Sequence, residues 1–397
     1  MHSQKISEGV YLLRANHWDR RLFDELIPLP EGTTYNSYII FGSEKTALID
    51  AVDFSKEDEL IEALKNIGVE KIDYIVSNHA EQDHSGGIKK LLSVYPDAKV
   101  VTNSKCKEFL MDLLLIPEDR FVVVEDGQEL SLGDKTLKFI KMPWVHWPET
   151  MITYLVEDGI LFTCDLFGAH YATSDVYVYD EMREYLAAKR YYAEIMMPFR
   201  QSIKKYIQRI REINPRIIAP SHGAVHKNTE FILSAYERWV SDDVNNEVLI
   251  IFVSMHGSTK KIVDYLADKI SEKGIKVRYY NLTVTDVGDL LMDVVDAATI
   301  VIATPTVLTG AHPSIVSAAY LLNLLRPKTK FVAFITSYGW GSRAIEQLKS
   351  LIPNVPAEIL DEITVKGYPK EEDFARLDEL VEKIYEKHKE QNLIGGD

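Results

Sequence analysis

Short apolar runs alternate with helical patterns between residues 34 and 222 of the chain. The runs have the length of strands and are rich in Val and Ile. They span 47–49, 72–76, 98–101, 121–124, 151–156 and 160–164. The last two flank Asp158-Gly159, a strong signal for a hairpin turn. Hairpins mixed with helices predict an αββα layered domain, that is, an α+β fold.

A long helical pattern covers residues 180–213. Pro198 lies inside it and Pro215 follows it. Proline lacks the backbone N–H and clashes with the preceding turn of a helix. We therefore expect a helix that is interrupted near Pro198 and ends before Pro215.

The pattern changes after Trp239. The segment 241–246 is polar and turn-prone, and it predicts a boundary between two domains, 1–243 and 247–397. Strands and helices then alternate strictly, which is typical of an α/β domain with a parallel sheet. The predicted strands are 248–253, 277–280, 299–303, 331–336 and a less apolar edge strand at 357–365, with helices after Thr259, Pro313 and Ser342 and a closing helix at 371–388. Five such strands predict a doubly wound, flavodoxin-like sheet.

Composition narrows the function classes. The 397 residues carry a net charge of −15, which argues against a general nucleic-acid binder and against adsorption to an anionic membrane. Cys106 and Cys164 are the only cysteines, too few for an iron–sulfur quartet or a disulfide framework. With no leader-type or membrane-spanning apolar stretch, we expect a cytoplasmic protein.

Metal-ligating side chains collect at the ends of predicted strands. Residues 79–84 read HAEQDH and follow the run 72–76. His146, Asp165 and His222 each follow a later apolar run. The resulting set of four imidazoles and three carboxylates suffices for two first-row metals bridged by Asp165: it comprises His79, Glu81, Asp83, His84, His146, Asp165 and His222. The alternative is a solvated acidic loop with scattered histidines.

Two histidines compete for the last ligand position. His222 directly follows the run 217–219 and precedes Gly223. His226 lies four residues further on. We favour His222 as the ligand and expect His226 to be an exposed loop residue.

The motif 79–84 resembles the HxHxDH motif of the metallo-β-lactamase superfamily, with Glu81 in place of the second histidine. A third carboxylate makes the site harder and favours iron over zinc. The whole set is similar to the ligand set of flavodiiron proteins. That resemblance implies one iron on His79, Glu81 and His146, a second on Asp83, His84 and His222, and Asp165 between them.

Three loops of the second domain resemble those that bind FMN in flavodoxins, over residues 247–391. The first loop, SMHGST at 254–259, opens a helix, whose N-terminus attracts anions. The loop has neither the Walker motif nor the dinucleotide-binding motif. The alternative interpretation is that its hydroxyl side chains only cap the helix. The predicted FMN-binding residues are Ser254, Met255, His256, Gly257, Ser258, Thr259, Thr304, Pro305, Thr306, Leu308, Thr309, Gly310, Ser337, Tyr338, Gly339, Trp340 and Gly341. Tyr338 and Trp340 could equally be surface aromatics.

Four further residues are candidates to donate hydrogen bonds to an iron-bound ligand: His17, His170, Tyr191 and Tyr192. Arg20 and Arg21 lie in a segment that resembles the flavodiiron N-terminus. We expect these two arginines to form structural ion pairs.

A metallo-β-lactamase-like domain followed by a flavodoxin-like domain is the order found in the flavodiiron family. The resemblance implies an oxidoreductase with FMN and two non-haem irons. Electrons from a rubredoxin-type donor would reduce dioxygen to water, nitric oxide to nitrous oxide, or both. It also implies a head-to-tail homodimer or a dimer of such dimers. The alternatives are a zinc hydrolase with an appended flavodoxin module and a non-catalytic FMN carrier or sensor.

Overall fold

The computed structural model describes residues 1–394 and divides the chain into two compact units. The first unit comprises Met1–Tyr192 and Phe199–Val240. The second comprises Ala193–Pro198 and the chain from Ser241 onward. Among residues 1–394, no helix has the length and apolar character that crossing a membrane requires.

The first unit contains a seven-stranded sheet in the order β1-β2-β5-β6-β7-β8-β9. Its strands are β1 (His2–Ser7), β2 (Val10–His17), β5 (Thr33–Phe41), β6 (Thr46–Ile49), β7 (Tyr74–Val76), β8 (Lys99–Thr102) and β9 (Phe121–Val123). The strands from β6 to β9 pair in parallel and the others antiparallel. A short hairpin, β3 (Leu22–Phe23) and β4 (Ile27–Pro28), lies between β2 and β5 in sequence.

A five-stranded sheet faces the first one. It has the order β10 (Glu129–Ser131), β11 (Thr136–Lys141), β12 (Met151–Leu155), β13 (Ile160–Cys164) and β14 (Ile217–Pro220). Buried side chains from both sheets, including Leu12, Tyr38, Phe139 and Phe162, form one core between them. This packing excludes the apolar faces of both sheets from water.

Helices cover the outer faces and complete the αββα sandwich. They are α1 (Glu57–Asn66), α2 (Gln82–Ser85), α3 (Ile88–Val94), α4 (Ser104–Leu114), α5 (Glu181–Tyr191), α6 (Arg200–Ile213) and α7 (Thr229–Val240). Leu60, Leu91 and Leu110 belong to a second core beneath three of these helices. The predicted interruption near Pro198 is confirmed, since a π-helical stretch (Tyr192–Met196) and one 3-10 turn (Met197–Phe199) separate α5 from α6.

The second unit is a doubly wound sheet in the order β16-β15-β17-β19-β20, with all neighbouring strands parallel. Its strands are β15 (Asn245–Phe252), β16 (Lys276–Asn281), β17 (Ala297–Val307), β18 (Gly310–Ala311), β19 (Phe331–Tyr338) and β20 (Glu358–Lys366). Its helices are α8 (Ser258–Glu272), α9 (Val287–Val294), α10 (Pro313–Leu325), α11 (Ala344–Leu351) and α12 (Glu371–Glu390). The flavodoxin-like order and the edge position of β20 agree with the sequence pattern.

The largest difference between a predicted and an observed strand end is found in β17. The strand predicted at 299–303 extends to Val307, because its end pairs antiparallel with β18. Leu308 and Thr309 form the tight turn between them with φ of +47° and +71°. A turn with two positive φ values matches the twist of a hairpin.

Candidate metal centre and flavin site

The loop after β7 directs its side chains to two sides. His79 and Glu81 precede helix α2, whereas Asp83 and His84 lie within it. The Glu81 carbonyl accepts from the backbone N–H of His84 at 3.1 Å, and Ser85 Oγ donates to the Ala80 carbonyl at 2.7 Å. The change from extended chain to helix separates the ligand-type side chains into two groups.

The first group joins this loop to later strand ends. Glu81 Oε2 lies 3.1 Å from both His79 Nε2 and His146 Nε2. Asp165 Oδ2 lies 3.5 Å and 3.4 Å from the same two nitrogens. One ligand atom from each of the four residues falls within 4.8 Å of the others, which is a spacing suited to one metal ion.

The second group contains Asp83, His84 and His222. The Asp83 oxygens lie 3.2 Å from His84 Nε2 and 3.2 Å from His222 Nε2. Asp165 Oδ1 lies 2.8 Å from His84 Nε2 and 3.5 Å from His222 Nε2. Asp165 therefore presents one oxygen to each group, which is the geometry of a bridging carboxylate.

The donor set fits a pair of cations. Asp83 Oδ1, His84 Nε2 and His222 Nε2 are buried and have no hydrogen-bond partner. Buried polar atoms without partners are rare, and these three face the common centre. Imidazole and carboxylate ligands together suit first-row metals such as iron.

The cluster is strongly polarised. Burial alone would lower the pKa of His222, but Asp165 and Asp83 outweigh it and raise that pKa to about 10. Burial would also lower the pKa of His146, but Asp165 and Glu81 outweigh burial and raise that pKa to about 9. The carboxylates favour a positive charge at these imidazoles. A bound metal ion would supply that charge in place of the protons.

His226 is not an exposed loop residue, and that expectation was wrong. It is buried at 1% exposure, and Nε2 lies 3.2 Å from the Phe167 carbonyl. Burial lowers its pKa to about 4. Among residues 1–394, the groups of ligand-type atoms include His222 and do not include His226.

Two of the predicted ligand histidines have a hydrogen-bond partner on Nδ1, the ring nitrogen that faces away from the centre. Neither partner was predicted from the sequence. His79 Nδ1 lies 2.6 Å from Glu149 Oε1, and His222 Nδ1 lies 2.6 Å from the Thr34 carbonyl oxygen. Glu149 follows His146 by three residues, which is the only sequence signal for it. These partners leave the Nε2 atoms facing the centre.

The four residues that were predicted to donate hydrogen bonds to an iron-bound ligand lie in different surroundings. Tyr191 donates its hydroxyl to Asp165 Oδ1 at 2.7 Å, and His170 Nδ1 lies 2.8 Å from Thr33 Oγ1. The Tyr192 hydroxyl donates to the Trp239 carbonyl at 3.2 Å, within an aromatic group of the core. His17 Nε2 lies 3.7 Å from Asp19 Oδ1.

The expected ion pairs of the two arginines are met only in part. Arg20 lies 4.0 Å from Glu25, at the outer limit for an ion pair. The guanidinium of Arg21 donates to the Trp18 carbonyl at 3.2 Å.

A cavity of about 170 Å³ opens onto the cluster. Its lining includes two of the ligand-type carboxylates and comprises Arg20, Phe23, Asp24, Leu29, Thr33, Tyr35, Asp53, Glu81, Gln82, Asp83 and His170. Burial lowers the pKa of His170 well below its usual value, and His222 lowers it further. A neutral imidazole at this wall offers one donor and one acceptor.

In the second unit, the three predicted loops form one cavity of about 220 Å³ at the carboxyl ends of the parallel strands. Its lining comprises Ser254, Met255, His256, Ser258, Thr259, Pro305, Thr306, Ser337, Tyr338, Gly339 and Gly367. Gly367, after β20, was missed by the sequence analysis. Ligands of this fold bind at this edge of the sheet.

The first of these loops has the form of an anion cradle. Gly257 has φ of +89°, and a Cβ there would meet no atom within 4 Å. Thr259 Oγ1 lies 2.9 Å from Ser337 Oγ, which joins two loops. The open space at the start of α8 can accept a phosphate group.

The remaining predicted flavin residues are not among those that line this cavity. The hydroxyl of Thr304 is used within its own loop, where it accepts from the His312 N–H at 3.0 Å. Leu308 is 89% exposed and Trp340 is 79% exposed. Gly257, Thr309, Gly310 and Gly341 complete this second set, which does not line the cavity.

The chain is similar to known proteins that contain both of these domains. The family model described as ODP family beta lactamase matches residues 33–223. The nitric oxide reductase of Moorella thermoacetica is 35% identical over 389 residues, covering 96% of this chain and 97% of that relative. Two solved structures align over nearly all of the chain, which is therefore an oxidoreductase with a metallo-β-lactamase-like and a flavodoxin-like domain.

The first of these structures is the rubredoxin oxygen:oxidoreductase of Desulfovibrio gigas, with a TM-score of 0.94, 26% identity and coverage of 98% of this chain and 100% of that one. The second is the flavodiiron protein of Giardia intestinalis, with a TM-score of 0.90, 27% identity and coverage of 98% of each chain. The chain belongs to the flavodiiron protein family. Its cofactors are FMN and a non-haem pair of irons.

Proposed function

We propose that this protein reduces dioxygen to water, nitric oxide to nitrous oxide, or both, with electrons that enter through FMN. The observation that carries the proposal is Asp165, whose two oxygens face two separate groups of ligand atoms. Two adjacent metals joined by a carboxylate can bind one small molecule together. Relatives named for nitric oxide and for oxygen reduction support the same activity.

The ligands we propose follow the two groups. His79, Glu81 and His146 hold the first iron, and Asp83, His84 and His222 hold the second. Asp165 bridges them. When bound, the irons supply electrons and open coordination positions for the gas.

The protein's own groups orient and supply hydrogen bonds around that centre. The Tyr191 hydroxyl holds Asp165 Oδ1. Burial and the Asp165 charge raise the pKa of Tyr191 well above its usual value, so the hydroxyl stays a donor. His170, held by Thr33, places its Nε2 at the buried wall of the cavity without a hydrogen-bond partner. We propose that His170 orients the reacting gas and its protons and that Tyr191 orients Asp165. The Tyr192 hydroxyl is engaged by the Trp239 carbonyl, whereas His17 stays a candidate donor because its buried Nδ1 has no hydrogen-bond partner.

The FMN phosphate is proposed to lie at the start of α8, against Ser254, Ser258 and Thr259. The isoalloxazine ring would lie between the loops that carry Thr306 and Tyr338. The exposed side chains of Leu308 and Trp340, in the same loops, are proposed to contact the flavin ring. FMN supplies one or two electrons at a time. Four electrons complete dioxygen reduction, and two suffice for a pair of nitric oxide molecules.

The two alternatives are disfavoured. A zinc hydrolase is a poor fit because Glu81 adds a third carboxylate to the centre. A carrier that uses FMN alone would leave the unpartnered atoms of His84 and His222 without a purpose. Two relatives that match over nearly the whole chain are named nitric oxide reductase and rubredoxin oxygen:oxidoreductase, which supports a reductase.

We also propose a head-to-tail homodimer, or a dimer of such dimers, in which the FMN of one chain serves the metals of another. Large apolar side chains are exposed close in sequence to the residues of each site, and we propose that they contribute to the interface. Leu308 and Trp340 closely follow the cavity-lining residues Thr306 and Gly339, and Trp18 (58% exposed) and Trp144 (54% exposed) lie close in sequence to His17 and His146. We propose a rubredoxin-type electron donor, as the name of the similar rubredoxin oxygen:oxidoreductase indicates. The cytoplasmic location stays a prediction.

The purified protein should contain about two irons and one FMN per chain, because the ligands divide into two metal groups and one flavin cavity. Expression with iron available, followed by elemental analysis and release of the flavin, measures both. Zinc at full occupancy with negligible iron would refute the iron assignment. Apoprotein reloaded with each metal in turn is the control for growth conditions.

A further inference from the structure

The His79 imidazole is held on both of its nitrogens. Nε2 faces Glu81 and Asp165, whereas Nδ1 lies 2.6 Å from Glu149 Oε1. A carboxylate oxygen can only accept, so Nδ1 carries the proton and Nε2 keeps its lone pair for a metal. His79 and Glu149 side chains are both 0% exposed, so water does not compete for this hydrogen bond.

Glu149 is itself fixed in place. Its Oε1 also accepts from the Ala80 N–H at 3.0 Å. Its backbone carbonyl accepts from Asn103 Nδ2 at 2.6 Å, and Asn103 caps helix α4. Glu149 Oε2 is buried and has no hydrogen-bond partner. A carboxylate held this firmly fixes the orientation of the ring to which it bonds.

The other metal group has a different outer partner. His222 Nδ1 donates to the Thr34 carbonyl, which carries no charge. Thr34 Oγ1 also accepts from the Gly223 N–H at 2.7 Å, which fixes the same loop. A carboxylate acceptor makes an imidazole a stronger ligand than a carbonyl does, and its charge acts strongly in a buried site. The two metal positions are therefore chemically unequal.

We infer that Glu149 is a positioning residue that makes the His79, Glu81 and His146 position the tighter of the two and lowers the reduction potential of the metal there. The inference rests on the proposed function, in which these residues hold iron. The potential is lowered because Glu149 adds a negative charge to that of the three ligand carboxylates. Extra negative charge favours the more oxidised state of the metal.

The test is Glu149→Gln, which keeps the shape and an oxygen that can accept from His79 and Ala80 but removes the charge. Iron release to a graded series of chelator concentrations should show one of the two irons bound about 10- to 100-fold more weakly. A redox titration of the iron pair should show a more positive midpoint potential. Glu149→Asp keeps the charge and should leave the potential closer to wild type than Glu149→Gln does, even where iron affinity falls.

Glu184→Gln is the matched control. Glu184 is buried to 1% exposure and accepts from the Tyr171 hydroxyl, away from the ligand groups. It should change neither iron release nor potential. Glu149→Gln protein with wild-type iron affinity and potential overturns the inference alone, as does equal weakening in the control. If Glu149→Gln does not fold, Glu149→Ala removes the charge in its place, and a folded Glu149→Ala protein with wild-type iron affinity and potential would overturn the inference. Wild-type protein that binds no iron overturns the proposed function as well.

Discussion

Replacing Asp165 by Asn should give a folded protein that retains FMN, loses most of its iron and reduces neither gas. Asp165 faces both groups of ligand atoms with its two oxygens, so one substitution removes a charged ligand from both metals. Losses of metal affinity or activity for outer partners reach about 100-fold, and loss of a shared direct ligand should exceed that. Iron content and the turnover rate after addition of either gas to an oxygen-free solution measure the effect.

Asp158→Asn is the control for this substitution. Asp158 is also shielded from solvent in the first unit, but it pairs with Lys135 at 2.5 Å and contacts no ligand residue. It should retain iron and activity with only a modest loss of stability. An Asp165→Asn protein that holds two irons and turns over at the wild-type rate would show that Asp165 does not bridge.

Mixing two inactive variants should restore activity if FMN and iron cooperate across a subunit interface. One variant, Asp83→Ala with His84→Ala, loses the second metal position. The other, Gly257→Trp with Thr259→Val, fills the open space at the start of α8 and removes the hydroxyl that contacts Ser337. Each homodimer lacks one site that the electrons need.

In a mixed head-to-tail dimer, one interface pairs an intact flavin with an intact metal site. Activity should rise toward roughly a quarter of wild type if half of the dimers are mixed and half of their sites work. Native mass spectrometry verifies the mixed dimers, and each variant mixed with itself is the control. No recovery in verified mixed dimers would indicate that electrons travel within one chain.

The ligand residues could be proposed from sequence because each follows an apolar run. Asp165 directly follows β13, and the ends of neighbouring strands meet at one edge of a sheet. His226 was misjudged because its burial depends on Phe167 and Glu184, which lie far away in sequence. No local pattern around His226 reports those contacts.

Glu149 and Gly367 escaped for a related reason. Glu149 acts on His79 across 70 residues of sequence, so only the folded chain brings the two together. Gly367 follows β20, the strand with the weakest apolar pattern, and it lines the flavin cavity because all five strands end at the same edge. The extension of β17 to Val307 likewise depends on pairing with β18.

The most direct test of the central claim is turnover of the purified protein, loaded with iron and FMN, with a reduced rubredoxin-type donor in an oxygen-free solution to which a measured amount of either gas is then added. The account predicts donor oxidation that depends on the gas, with four electrons used per dioxygen or one nitrous oxide formed per two nitric oxide molecules. Protein that contains both cofactors and accepts donor electrons, yet consumes neither gas, would contradict it.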